Sequence, residues 1–229
     1  MRPRALHFSS AWSKDSSLTA FLIVLVLTVF IIAPLGRLTT IGALLISLFF
    51  SFLLISGVAA VAEHRTQTLL AAGLVTITLG FRWMAYLIPS PGIESAGACL
   101  LIACLGLMTG VVLFQVFREG PITWHRIQGA IAAYLLLGLT WGVAYEAVLL
   151  QLPGAFLPAT LSEQSGPILP TFVYFSFVTL TTVGYGDIIP VHPMVRSLAN
   201  LEALVGQLYP AILIGRLVAM ELQFRQMRS

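Results

Sequence analysis

Seven residues towards the C-terminal end, Thr-Thr-Val-Gly-Tyr-Gly-Asp at 181–187, constrain the fold more than any other stretch of the chain. Successive carbonyls of an extended strand point to opposite sides, so a backbone that aims them at one axis must alternate between left-handed and right-handed conformations. Gly184 and Gly186 can take positive φ without a Cβ clash. Carbonyls aimed at one axis can replace the water shell of a cation, and the Thr182 hydroxyl adds an oxygen at the inner end. The run therefore predicts an ion-coordinating loop.

The loop is too short to cross a membrane by itself, since five extended residues at ~3.3 Å each span only about half of a ~30 Å hydrocarbon core. An apolar segment that is also too short to span, residues 170–181, comes before it. Pro170 suits a first helical position, so we expect a re-entrant helix whose negative dipole end faces the incoming cation. The apolar segment 193–220 follows the loop and is long enough to span.

Residues 175–187 resemble the pore loop of potassium channels, especially the two-pore-domain and small prokaryotic versions. The resemblance implies that residues 182–186 form a selectivity filter and that potassium is the transported ion. One loop supplies a quarter of an ion's oxygen cage, so four identical chains would form a four-fold homotetramer. The side chains of Val183 and Tyr185 would pack behind the filter. The ions would be held at Thr182, Val183, Gly184 and Tyr185.

The composition places the chain in the membrane class. Its residues are 58% apolar and only 9% charged, with a mean hydropathy of +0.95, whereas about a quarter of the residues in a soluble domain are charged. The net charge of +3 is too small to indicate a nucleic-acid partner. We expect the lipid bilayer as the surroundings, and neither a catalytic site nor an organic cofactor.

The apolar segments predict an all-α membrane protein with six transmembrane helices, and with the re-entrant pore helix and the filter between the fifth and the sixth. The first apolar run follows a basic start, and a retained span is favoured over a signal peptide. The predicted parts are a cytoplasmic N-terminus (1–17), a four-span membrane domain (18–117), a linker (118–126), a pore domain (127–220) and a cytoplasmic tail (221–229). The pore domain divides into an outer helix (127–150), an outer loop (151–169), a pore helix (170–181), the filter (182–186) and an inner helix (193–220).

The distribution of basic residues gives an independent indication of orientation. If Asp187 faces outside, both termini are cytoplasmic, and most of the basic residues lie on the inner side, as the positive-inside rule requires. Arg37 and Arg196 then lie outside, and the expected location is the plasma membrane. The inner group comprises Arg2, Arg4, Lys14, Arg65, Arg118, Arg126, Arg216, Arg225 and Arg228.

Six spans around one pore loop resemble voltage-gated channels in outline, but the fourth segment differs. A voltage sensor needs several arginines along that helix, because each charge that crosses the field contributes about 2.3 kcal/mol per 100 mV. Residues 95–117 contain no Lys or Arg, and Arg82 in the third segment is a single charge. The four-span membrane domain is therefore predicted to lack a voltage sensor.

Three charged residues, Arg82, Glu146 and Glu202, lie within predicted spans, where charges are costly and often functional. Two arrangements are open for Arg82: it pairs with Glu146, or its side chain extends towards the lipid headgroups. The second arrangement is favoured. Glu202 is either a buried carboxyl that bonds hydroxyls behind the filter, such as those of Thr179 or Tyr174, or a group that faces a watery crevice. The sequence leaves these two alternatives even.

The support of the filter differs from that of some bacterial channels of the family. In those channels a glutamate stands four residues before the filter threonine and bonds the filter aspartate, whereas this chain has Val178 there. Tyr174 is placed to donate its hydroxyl to Asp187 instead. Tyr174, Val178, Thr181 and Asp187 are therefore the predicted filter support and outer mouth.

The last span carries the candidate gating residues. Gly206 matches the position of the hinge glycine in the inner helix of the family, and close packing against a neighbouring helix is the equally weighted alternative. Pro210 removes a helical hydrogen bond and can kink the helix. Gln207 and Ile214 share one face, which we expect to line the water-filled cavity together with Val218.

A passive potassium-selective channel is the function that this sequence favours. The alternatives are a subunit of a potassium uptake transporter and a regulatory pore subunit that does not conduct. Transporters of that kind usually carry four degenerate loops in one chain, whereas this chain has one complete loop.

Overall fold

The computed structural model describes residues 18–38, 41–61, 65–88, 90–118, 123–158 and 167–226. The predicted cytoplasmic N-terminus therefore lies outside the described residues, and so do residues 159–166 of the predicted outer loop. The described elements are α1 (residues 18–38, with a π-helical turn at Thr28–Ile32), α2 (Gly42–Val61), α3 (Arg65–Leu87), α4 (Pro91–Phe117), α5 (Trp124–Gln151), β1 (Phe156–Leu157), α6 (Leu169–Leu180), β2 (Ile189–Pro190) and α7 (Pro193–Gln226).

Six of these helices, α1 to α5 and α7, are long and apolar enough to cross a membrane, and α6 is a shorter apolar helix. Helices suit a bilayer because every backbone polar group is satisfied inside the segment. The prediction of a mostly helical protein is confirmed, and six of the described helices are candidate membrane spans.

The helix ends differ from the predicted boundaries by a few residues. Helix α4 begins at Pro91, whereas the fourth apolar segment was predicted to begin at residue 95. A proline fits the first turn of a helix, so Pro91 starts α4 instead of ending the segment before it. Helix α5 begins at Trp124 rather than at 127, since the polar residues His125 and Arg126 form its first turn. Helix α7 continues to Gln226, beyond the predicted end at 220.

The helices pack in chain order, with α3 on α4, α4 on α5, α5 on α6 and α6 on α7. Two glycines on α5 make the close approach to α6 possible. A Cβ atom on Gly138 would lie 2.5 Å from the Phe177 ring, and one on Gly142 would lie 3.0 Å from the Cα atom of Val173. Glycines four residues apart let two membrane helices meet at backbone distance.

Two apolar clusters hold the described elements together. The larger cluster runs from α1 and α2 through α4 and α5 to Leu169 and Val173 of α6. The smaller cluster lies around Tyr145, Phe156, Phe172 and other residues near β1 and β2. The short helix α6 is thus packed on both clusters, and this fixes the position of the loop that follows it.

Candidate functional site

The loop after α6 has the alternating backbone that the sequence predicts. Thr182 has φ of 59°, Gly184 has 59° and Gly186 has 78°, while Val183 and Tyr185 between them keep negative φ. Alternation of the two hands turns successive carbonyls towards the same side, which an ordinary strand does not do. Positive φ at Thr182, a residue with a Cβ atom, is uncommon and costs about 1–3 kcal/mol, so the surrounding contacts must hold it.

Backbone hydrogen bonds tie the loop to the C-terminal turn of α6. The carbonyl oxygen of Val178 accepts from the amide of Val183 at 2.9 Å and from that of Gly184 at 3.3 Å. The amide of Thr182 donates to the carbonyl of Thr179 at 2.9 Å. Val178 therefore supports the loop through its carbonyl group, and its side chain plays no part in this contact.

The outer end of the loop is held by Tyr174 and Asp187. The Tyr174 hydroxyl donates a hydrogen bond to the Asp187 carboxylate. The amide of Ile188 also donates to Oδ1 of Asp187 at 3.1 Å. Thr181 lies at the start of the loop, and its hydroxyl donates to the carbonyl of Phe177 at 2.6 Å, within its own turn.

The side chains of Val183 and Tyr185 do not pack behind the loop within one chain. Val183 is 53% exposed and Tyr185 is 72% exposed. Within one chain the loop is contacted by α6 and α7, and these two side chains are left uncovered. Exposed apolar side chains in contiguous patches are typical of surfaces that another molecule covers.

The inner end of the loop meets α7. The Gln207 amide group donates to Oγ1 of Thr182 at 2.8 Å, which brings the predicted cavity-lining glutamine to the predicted inner ligand. Pro210 lies inside the continuous helix α7. Ile214 and Val218 are exposed on the same helix, beyond the loop.

Gly206 lies in backbone contact with the end of α6. A Cβ atom at this position would overlap the carbonyl group of Leu180, the residue that ends α6. The absence of a side chain at Gly206 is therefore what lets α7 approach the base of the loop. This contact is the close packing that the sequence analysis gave as the alternative to a hinge at Gly206.

Glu202 is fully buried, with 0% of its side chain exposed. The Tyr145 hydroxyl donates to its Oε2 at 2.7 Å, and the Ser176 hydroxyl lies 2.5 Å from its Oε1. Glu202 thus contacts hydroxyls behind the loop rather than a watery crevice. The partners differ from the predicted Thr179 and Tyr174, because α5 and the side of α6 that carries Ser176 face this part of α7.

Arg82 of α3 lies at the boundary between the first four helices and α5. Its guanidinium carbon is 4.6 Å from the centre of the Phe50 ring, a cation–π distance. Glu146 of α5 is the acidic group that acts on it electrostatically, and Glu146 also accepts a hydrogen bond from the Leu169 amide at the start of α6. The structure places Arg82 against Phe50 and near Glu146, and the residue stays partly exposed.

Comparisons with known proteins identify the family. Residues 133–222 match a family model described as an ion channel. The chain is 36% identical over 116 residues to protein LctB of Bacillus caldotenax, covering 50% of this chain and 86% of LctB. It is 31% identical over 98 residues to two pore potassium channel c of Oryza sativa subsp. japonica (42% of this chain, 19% of that protein) and 30% identical over 179 residues to human potassium channel subfamily K member 7 (70% and 55%).

The chain belongs to the potassium channel family. This membership implies potassium as the transported ion, and the six apolar helices make the channel a multi-pass membrane protein. No solved structure gives a significant match to the channel.

Sequence reasoning missed three parts of this channel's site. Tyr145 and Ser176 were not singled out, because one hydroxyl among many in apolar helices carries no distinguishing pattern. The glycine pair on α5 was also missed, although Gly138 and Gly142 stand four residues apart, a spacing that signals close helix contact.

Proposed function

We propose that the protein is a passive, potassium-selective channel whose pore is assembled from four copies of the chain. The observation that carries this proposal is the alternation of positive φ at Thr182, Gly184 and Gly186. The backbone carbonyls of residues 182–186 and the Thr182 hydroxyl would replace the ion's water shell.

The surroundings of the loop support a re-entrant arrangement. Helix α6 has 12 residues, too few to cross a ~30 Å core, and the chain turns back after it into α7. Its last carbonyls are bonded to the loop amides, so the negative end of its dipole lies beside the proposed ion path. Backbone outside helices is tolerated at membrane depth where it lines a cavity or is buried in protein.

The exposed surface of one chain supports a tetramer. A single loop reaches an ion from one side only, and a cage closes when identical loops are related by rotation. Neighbouring chains would also cover Val183, Tyr185 and the apolar side chains that α7 leaves exposed. Those side chains include Leu201, Leu204, Leu208 and Ile212.

The arginines at one end of the bundle support the proposed orientation. Arg126 on α5 is close enough to Arg118 and Arg216 to be repelled by both. The three positive charges therefore lie close together, near the end of α4, the start of α5 and the C-terminal part of α7. The Arg216 guanidinium also donates to the carbonyl of Phe117 at 3.1 Å. Because a basic end is expected on the cytoplasmic side, this cluster supports the proposed orientation, with Asp187 outside, both termini in the cytoplasm and the channel in the plasma membrane.

Rubidium uptake into liposomes driven by a potassium gradient tests the proposed function. The wild-type protein should take up rubidium, potassium should compete, and sodium should not. Gly184→Ala should abolish uptake or its preference for potassium, because alanine at positive φ costs about 1–3 kcal/mol in each of the four chains. Native mass measurement of the active sample should give a tetramer.

Gly154→Ala is the control for Gly184→Ala. Gly154 also has positive φ, 87°, and a Cβ atom would meet nothing within 4 Å at either glycine, so both variants carry backbone strain without a steric clash. Gly154 lies after α5, outside the loop, so its variant should keep ion preference. No uptake by the wild-type tetramer would favour a non-conducting subunit, and an unchanged preference in Gly184→Ala would exclude the filter assignment.

A further inference from the structure

The buried contacts of Glu202 raise the question of where its protons lie. Three side chains meet behind the loop: Tyr145 of α5, Ser176 of α6 and Glu202 of α7. All three are fully buried, with 0% of each side chain exposed. The group therefore joins the three helices of the pore domain at one point, and its hydrogen bonds must be satisfied among its own members.

The Ser176 hydroxyl has two close oxygen neighbours. Its Oγ lies 2.8 Å from the carbonyl oxygen of Gly138 and 2.5 Å from Oε1 of Glu202. A serine hydroxyl has one proton to donate. The Gly138 carbonyl can only accept, so a contact of 2.8 Å between these two oxygens requires that the serine proton lie between them.

The proton between Ser176 and Glu202 must then come from Glu202. An ionised carboxylate can only accept, and it would leave either the Gly138 contact or the Glu202 contact as two oxygens with no proton between them. A protonated acid donates from Oε1 to Ser176 and still accepts the Tyr145 proton on Oε2, 2.7 Å away. Every hydroxyl in the group is then used once.

The charges around the group agree with this count. Within the described residues, the groups that interact most directly with Glu202 are the hydroxyls of Ser176 and Tyr145. The ionisable group facing it besides Tyr145 is Tyr134 of the same helix α5. Neither tyrosine is a cation, and a buried carboxylate without a cation is far more costly than a neutral acid.

We infer that Glu202 is a protonated, neutral acid that completes a directed chain of hydrogen bonds from Tyr145 through Glu202 and Ser176 to the Gly138 carbonyl. This chain fixes α6 between α5 and α7 and so positions the loop that α6 carries. Glu202 is a positioning residue and does not touch the ion. Its effect on conduction rests on the proposed channel function, whereas its protonation does not.

Infrared difference spectroscopy of the purified wild-type channel in lipid at neutral pH tests the protonation directly. A protonated carboxyl gives a carbonyl-stretch band that a carboxylate lacks. That band should be present and should disappear in Glu202→Gln. Glu146→Gln, which removes a different carboxyl within a span, should leave it in place. Loss of a carboxylate band in Glu202→Gln, with the acid band unchanged, would overturn the inference.

Ser176→Ala tests the direction of the chain. It removes the acceptor of the Glu202 proton, so the acid band should move to higher frequency as the hydrogen bond is lost. An unmoved band would show that Glu202 does not donate to Ser176 and would overturn the proposed direction. If this variant does not fold, the comparison of wild type with Glu202→Gln and Glu146→Gln still decides the protonation.

Ion flux tests the positioning role. Glutamine has a donor and an acceptor at the two positions that the neutral acid uses, so Glu202→Gln should keep rubidium uptake within about threefold of wild type, since each hydrogen bond is replaced. Glu202→Ala leaves Tyr145 and Ser176 without their partner and should lose about tenfold or more, since buried groups are then left unpaired. Equal losses in the two variants would overturn the positioning role while leaving the spectroscopic result and the channel function to stand on their own tests.

Discussion

Gly206 of α7 is in backbone contact with Leu180, the last residue of α6, so that a Cβ atom at position 206 would overlap the Leu180 carbonyl group. Leu180 is followed directly by the loop that we propose coordinates the ion. The inner helix and the base of the loop are therefore coupled through main-chain atoms, which cannot move aside as a flexible side chain does.

Gly206→Ala should lower the thermal stability of the assembled channel and its ion flux. The added methyl group must displace α6 or α7, and overpacking of this kind costs about 1–3 kcal/mol per chain. The measurement is the midpoint of thermal dissociation of the tetramer, followed by rubidium uptake.

Gly215→Ala is the control for this substitution. Gly215 lies on the same helix, but a Cβ atom there would meet nothing within 4 Å. Its substitution should therefore leave stability unchanged or raise it by up to about 1 kcal/mol per chain through better helix propensity. If Gly206→Ala keeps wild-type stability and changes only open probability, Gly206 acts as a hinge and the packing interpretation is wrong.

Tyr174→Phe should weaken the outer mouth. Phenylalanine removes the hydroxyl that donates to the charged Asp187 carboxylate at the outer end of the loop. We expect a lower sustained flux with the preference for potassium retained. Tyr86→Phe, which removes a hydroxyl from a partly exposed side chain on α3, should behave as wild type in the same flux assay.

Asp187→Asn separates charge from structure at the same site. It keeps the size of the side chain but removes one negative charge per chain from the outer mouth. Flux at low potassium should fall more than flux at saturating potassium, because local cation concentration depends on that charge. A change of ion preference without a change of low-potassium flux would contradict this assignment.

Thr182→Ala should weaken block by barium from the inner side. The substitution removes the hydroxyl oxygen that we assign as the inner ligand and leaves the backbone carbonyls in place. A loss of one ligand is expected to weaken block by about tenfold, on the order of one hydrogen bond to a charged group. Thr182→Ser keeps the hydroxyl and should restore block, whereas equal block in the wild type and Thr182→Ala would exclude the hydroxyl as a ligand.

Open probability should depend weakly on voltage. Helix α4 contains no Lys or Arg, and Arg82 on α3 is held against Phe50 and near Glu146. One such charge per chain supplies little gating energy, so open probability should change by less than about tenfold over 100 mV. Steep sigmoidal activation in planar-bilayer recordings would contradict this prediction.

The features that the sequence predicts well are those that follow from local chemistry. Positive φ at Gly184 and Gly186 was predictable because only glycine takes that conformation without a clash, and the number of spans was predictable because long apolar helices are the main solution for crossing a bilayer. Positive φ at Thr182 was less accessible, since its φ is imposed by the bonds between the loop and α6.

Contacts between residues far apart in the chain could not be predicted from the sequence. Glu202 bonds Tyr145 and lies beside Ser176, and these residues stand 57 and 26 positions away in the chain. Hydropathy identifies Glu202 as unusual but does not say which hydroxyls the helix packing brings to it. The position of Arg82 could not be predicted for the same reason, because the sequence does not show that the Phe50 ring lies beneath its guanidinium group.

The reversal potential of single-channel current, with potassium on one side of a planar bilayer and sodium on the other, tests the central claim most directly. If carbonyls of residues 182–186 from four chains replace the water shell of potassium, the current should reverse far towards the potassium equilibrium potential. A reversal near zero, with equal current carried by sodium, would contradict the account.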